Sequence, residues 1–299
     1  VIRDAVDRSR ARALERAVDE LVGGLDGLTE AQIARILEAL ADVRRTVIAE
    51  LHDSAQTGFR AEMLGRLRLE IDQAAEVLRR RLAPLVADGI ARAWGAGAAF
   101  PRAVPASLGV QVAPALTLGP TIGLDHLRVL TTIGFDLVTS VSADFRERAR
   151  AVLARGVLGA VPPQTLIGQV ADLLRTEPGR RPYDPRYGPI ASQAELLVRT
   201  ELVGAFNTAS QLGQARLAHD LPGIQKTWRS ARDGRVRDAH RLADERYSAG
   251  GEVGPIPFEQ DFEVGSEACA FPHDPRLTAR SRVNCRCIAM PWHPDWVAR

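Results

Sequence analysis

The chain has 299 residues, enough for two domains or for one domain with a long helical extension. Aromatic residues are only 5% of it, so any core is built from Leu, Val, Ile and Ala, which favours packed helices over a large β-sandwich. The formal net charge of +2 excludes the strong basic excess of a DNA-wrapping protein. Lys226 is the single lysine, and arginine so dominates the bases that the composition reads as that of a GC-rich genome. No run of about 18 uncharged apolar residues is present, so no membrane span is expected. Residues 1–21 lack the apolar stretch of a signal peptide, so synthesis in the cytosol is expected. The three cysteines, Cys269, Cys285 and Cys287, are too few and odd in number for a disulfide framework, and they leave metal binding open.

The first half predicts long amphipathic helices. Thr29 with Gln32 has the pattern of a capping box and predicts a helix start. Behind it Ile33, Ile36, Leu37, Leu40, Val43, Val47 and Leu51 fall on one stripe. A further helix is predicted from about Thr57 to about Ala91, with Met63, Leu67, Ile71, Leu78, Leu82 and Leu85 on one face and Arg66, Arg68, Arg79 and Arg80 on a solvated one. Residues 94–123 change in texture. They are rich in Gly, Ala and Pro, and Arg102 is the only charge. Pro101, Pro105, Pro114 and Pro120 predict an apolar loop rather than a helix. Such a loop is more comfortable against a partner than in water, with Phe100, Leu108, Val110 and Leu116 as its contact residues. Helices resume from Leu124 to about Leu158, over Thr165 to Leu174, and from about Ile190 to His219.

After Pro222 the pattern shortens. Ile224, Lys226, Trp228 and Ser230 predict a strand with Trp228 facing a core, the lysine stem snorkelling outward. A DG turn, a short helix over Arg235–Ala243, a loop-rich stretch and a strand-like NCRCIAMPW complete a small α+β unit. The expected fold is therefore mainly α: a helical arm over residues 1–160, with its Pro/Gly loop at about 94–123, and a second domain over 161–299 that carries the α+β part.

The last third also carries an ordered set of motifs. RTE stands at Arg199–Glu201, then Asn207, KTW at Lys226–Trp228, DGRVRDAH from Asp233 to His240, FPHDP at Phe271–Pro275, and NCRC at Asn284–Cys287. Together these resemble the C-terminal domain of the phage Mu protein F-like, or minor head protein, family of tailed bacteriophages, over roughly Thr165 to Met290. The family usually has glycine where this chain has His273, and an Asp-Gly pair where it has Asp244-Glu245. The resemblance implies a structural virion component that acts in head morphogenesis. It would be made in the host cytoplasm and lie inside the head near the portal. Its partners would be portal or major capsid protein, with nonspecific contact to packaged double-stranded DNA.

Two chemistries stand beside that reading. Cys285 and Cys287 lie two apart, which on a strand puts both thiols on one face. His240, with Cys269 or His273, would complete a tetrahedral set for a structural zinc; the bland alternative is no cofactor, with the cysteines as small buried hydrophobes. Asp233, Asp238, His240 and Asp244 surround a histidine with acids, as in a nuclease, and Arg199 with Glu201 could serve an ADP-ribosyltransferase. No phosphate loop or nucleophile elbow accompanies them, so the chain is read as not an enzyme. Arg199, Glu201, Asn207, Trp228, Asp233, Arg235, Arg237 and Asp238 are expected instead to form the structural network that docks the preceding helix onto the small domain.

Overall fold

A computed structural model describes residues 2–55, 61–110, 120–158, 162–176 and 188–298. The protein is mostly helical, with long N-terminal helices and a small C-terminal region of short strands and helices. The long helices are α1 (Ile2–Ala55), α2 (Ala61–Ser107), α3 (Pro120–Leu158) and α5 (Pro189–Asp220), with a short α4 (Pro163–Leu173) between the last two. Then follow β1 (Gln225–Arg229), α6 (Asp238–Tyr247), β2 (Ile256–Pro257), β3 (Phe262–Val264), β4 (Glu267–Cys269), α7 (Ala279–Arg282), β5 (Ile288–Trp292) and α8 (Pro294–Ala298). The chain forms two compact units that are discontinuous in sequence. One comprises Val1–Thr29, Ile90–Leu130 and Arg199–Arg299; the other comprises Glu30–Gly89 and Thr131–Val198.

Among the described residues, the second of these units is built from helices and has no strand. The stripe Ile33, Ile36, Leu40, Val43, Val47 and Leu51 of α1 is buried, as are Leu67, Ile71, Leu78, Leu82 and Val86 of α2. From α3 come Val138, Val141, Phe145 and Val152, and from α4 Leu166, Ile167 and Val170. Charged pairs dress this core: Arg35 meets Asp88 at 2.6 Å and Arg150 meets Asp72 at 2.6 Å. Such exposed pairs are worth about 0–1 kcal/mol each and set helix register more than stability. The Arg79–Arg80 face is not simply solvated. Both guanidiniums bind Glu76, whose carboxyl they hold down at about 2, and Arg79 lies over the Phe135 ring at 5.3 Å.

No helix starts at Thr29. Helix α1 runs through it, because Thr29 Oγ1 donates back to Leu25 O at 2.8 Å, inside the helix, and Gln32 Nε2 is drawn off to Leu85 O.

The unit that holds the C-terminal region also corrects the loop expected over 94–123. Helix α2 continues through Pro101 and Pro105 to Ser107 and ends at Gly109, whose φ of +72° is the left-handed stop that glycine adopts freely. A proline inside a helix costs about 3 kcal/mol, but burial here outweighs it. Trp94, Phe100 and Val104 are buried, and Phe100 meets Phe206 of α5 edge to face at 5.3 Å. The two helices cross so closely that a Cβ on Gly97 would lie 2.2 Å from Phe206 O. Phe100 is thus a core residue and not a partner contact. Leu108 and Val110 are half-buried at the helix end, and Leu116 lies outside the described residues.

The small sheet has the order β2-β1-β5, all antiparallel, with Trp228 opposite Ala289; β3 and β4 form a separate hairpin. Trp228, Tyr247 and Phe262 make its aromatic centre, with ring centroids 5.1–5.4 Å apart. Strand β1 is covered on both sides, so Lys226 does not snorkel. It is fully buried, its Nζ donating to Ala270 O at 2.8 Å and lying 4.9 Å from the Phe262 ring centroid.

Candidate metal centre

Helix α6 begins at Asp238 and turns His240 inward, where the ring is 2% exposed and stands edge-on to Trp228 at 5.6 Å. Its Nδ1 lies 3.3 Å from Cys287 Sγ and 3.4 Å from Cys285 Sγ. These three residues are the one group of histidine, cysteine and acidic side chains among the described residues whose ligand atoms converge to hold a metal ion, all within 4.8 Å of one another. A tetrahedral ion with ordinary zinc bond lengths would space such atoms roughly 3.5–3.8 Å apart, so little movement is needed. The other ring nitrogen, Nε2, is buried with no hydrogen-bond partner.

The two thiols differ in charge preference. Hydrogen bonding from Cys287, helped by the His240 and His273 rings, holds Cys285 well below the ordinary thiol value against its burial. Cys287 is pushed well up, because it shares its proton with the Cys285 sulfur and is buried beside it. One thiolate and one thiol sharing a proton are a site that a divalent cation can enter by displacing that proton.

The expected fourth ligands do not join. Cys269 pairs across the hairpin with Phe262 and sits apart, its thiol pushed up to about 12 by burial and by Asp274 and Asp261. His273 is also otherwise engaged. Its Nε2 donates to Cys285 O at 2.8 Å, and its ring lies over Gly204 of α5. The C-x-C segment is not a strand either. β5 begins only at Ile288, and the backbone turns at Asn284, where φ is +57°. Consecutive same-face side chains of a strand stand about 6.6 Å apart, whereas here both sulfurs lie within 3.4 Å of one ring nitrogen.

Asn207, expected in the docking network, holds the segment in place together with Thr200 of the RTE motif and Gln214, which the sequence reading did not single out. Thr200, Asn207 and Gln214 recur at intervals of seven on α5. Thr200 Oγ1 accepts from Asn284 N–H at 2.9 Å; Asn207 Nδ2 donates to Cys287 O at 3.0 Å; Gln214 Nε2 donates to Ala289 O at 3.0 Å. The signal was available as polar residues buried on one face of an otherwise apolar helix.

Of the anticipated docking network, Asn207 ties α5 to the small domain, and Trp228 lies in that domain's core. Arg235 binds Asp233, Arg237 Nη2 donates to Val283 O at 2.6 Å, and Asp238 is exposed and meets Arg241. Asp233 also takes both its oxygens to Arg286 at 2.7 and 2.8 Å, which holds its carboxyl down at about 2. Arg199 is buried, and burial raises Glu201 above the usual carboxylate range, offset in part by His273 and Arg282. The acids around His240 do not converge on it. Asp244 is bound by Ser230 and by Arg232, and it faces an open groove of about 420 Å³ with Asp233, Arg241 and Glu245, which His240 does not line.

No protein-family model matches the chain. No solved structure matches it. A stretch of 98 residues, 31% of this chain, is 32% identical to the uncharacterized protein YqbB of Bacillus subtilis (strain 168), and it takes up 30% of that protein's length. No helix among the described residues is long and apolar enough to cross a membrane.

Proposed function

We propose that the protein is a structural minor head protein of a tailed bacteriophage, of the phage Mu protein F-like kind, that docks on portal or major capsid protein during head assembly. The observation that supports this reading is how the motif residues are used. Thr200, Asn207, Asp233, Arg237 and His273, from four separate pieces of the ordered set, all bind within residues 283–287 around the NCRC piece. Thr200, Asn207, Arg237 and His273 spend these hydrogen bonds on holding a backbone, and Asp233 on holding the Arg286 side chain. His240, on which an acid–base reaction would be centred, is buried against two thiols. A location inside the head near the portal, after assembly in the host cytoplasm, and nonspecific contact with packaged DNA belong to the same reading.

The ion that suits the His240, Cys285 and Cys287 set is zinc, in a structural role. Imidazole with two thiolates is a borderline-soft donor set, and two thiolates neutralise a divalent charge in a buried place. Mass spectrometry of purified particles of the phage that encodes this chain should find it in low copy with the portal, and deletion should stop head maturation. A chain absent from particles and dispensable for filled heads refutes the assembly role.

A further inference from the structure

We propose that His273 and Asn207 are the positioning residues of the metal centre: by holding the carbonyl oxygens of Cys285 and Cys287 they fix the bend that brings both thiols to one ion. This rests on the reading that His240, Cys285 and Cys287 bind a metal.

The geometry at each residue is specific. Asn207 is 1% exposed on α5, and its Nδ2 spans Val203 O of its own helix and Cys287 O, both at 3.0 Å. It thereby ties one end of the C-x-C segment to a rigid element. His273 is 5% exposed and has a φ of +69°, a left-handed conformation uncommon for residues with a Cβ, although His, Asn and Asp enter it more often than the rest. Glycine would take it without strain, yet a histidine stands there, and its Nε2 reaches the other cysteine carbonyl at 2.8 Å. The two clamps therefore act on alternate peptide units, one on each side of Arg286. Arg286 itself is held by Asp233. With both carbonyls held, the sulfurs have little freedom except to point at His240, and Cys287 N–H lies 3.4 Å from Cys285 Sγ, where it favours the thiolate. Such outer-shell hydrogen bonds commonly govern metal affinity although they never touch the ion.

The test is a cobalt(II) titration of the full chain, read from thiolate-to-cobalt charge-transfer absorption, with zinc affinity then measured against a chromophoric chelator. Wild type should bind one equivalent. His273→Gly keeps a backbone suited to the left-handed turn and removes only the clamp. It should keep the circular dichroism of a folded chain while losing affinity about 10–100-fold, the range that outer-shell partners command. His273→Gln restores a donor and should recover part of that loss. Asn207→Leu should weaken binding likewise; if it fails to fold, the His273 pair decides. Wild-type affinity in a folded His273→Gly refutes the positioning role while leaving the metal centre standing. No metal uptake by wild type removes the metal reading itself, and this inference with it.

Discussion

Replacing Lys226 with methionine should flatten a pH dependence of stability that the wild type shows. The Lys226 ammonium is fully buried, with one carbonyl as hydrogen-bond partner and the faces of Phe258 and Phe262 as its other neighbours. Burial pushes it from its ordinary 10.5 down to about 8, against the nearby Asp261, Cys269 and Glu259. Between those values the unfolded chain binds a proton that the folded chain does not, so stability rises with pH across the window from about 8 to 10.5. Each full unit is worth about 1.4 kcal/mol, and incomplete titration near the folded value reduces the gain between pH 8 and 9 to about 1 kcal/mol. Above 9 the effect is opposed. Cys269 is raised from 9.0 to about 12, so the folded state there holds a proton that the unfolded state has lost, and stability falls. Cys285, held low, adds a rise of the same sign below 9, but it does so equally in both proteins and cancels in their difference. The assay is urea denaturation at pH 7, 8 and 9, followed by tryptophan fluorescence. Lys226→Met should be at least as stable as wild type at pH 7 and should lose its advantage by about 1 kcal/mol between pH 8 and 9. A difference between the two proteins that does not change with pH refutes a buried, depressed lysine.

Zinc should copurify at about one equivalent, and a chelator should lower the melting temperature of the wild type but not of Cys285→Ser; less than about a tenth of an equivalent, with melting indifferent to chelator, rules out a structural site. Trp228→Ala removes the indole at the centre of the small core and should cost about 3–5 kcal/mol; a loss below about 1 kcal/mol in urea melts would place that ring outside the core. Gly97→Ala sets propensity against packing. Helix propensity alone favours alanine by about 1 kcal/mol, but the new Cβ would meet the Phe206 backbone, so a net loss of about 1–3 kcal/mol is expected, and a gain would mean that α2 and α5 do not cross closely there.

What the sequence discloses depends on whether a residue's role is local. The stripe from Ile33 to Leu51 and the one from Leu67 to Leu82 are periodic, and both are buried as their period implies. Pro101 and Pro105 misled because their cost is local and written in the sequence, while the compensation is not: Phe206 lies about a hundred residues away and gives no sign of packing on Phe100. Thr29 misled in the same way, since a threonine hydroxyl serves a cap or a back-bond equally well, and only the surrounding helix decides which. The metal candidates divide along this line too. Cys285 and Cys287 were legible from two-residue spacing, and His240 from its place beside them in the ordered motifs. Cys269 differed only in being drawn into the β3–β4 hairpin, which no spacing records.

The least local feature is the polar ladder of Thr200, Asn207 and Gln214. Two helical turns separate each from the next, about 10.5 Å at 1.5 Å per residue. Their partners, at residues 284, 287 and 289, advance along a segment that is bent at its start and extended by its end. Three fully extended residues from 284 to 287 would rise about 10 Å and keep pace with the first helical interval, whereas two from 287 to 289 rise only about 6.6 Å and fall behind the second. The motif residues of α5, of the DGR turn and of the FPHDP loop nonetheless meet on one short stretch of chain, residues 284–287, which carries the two thiols that face His240.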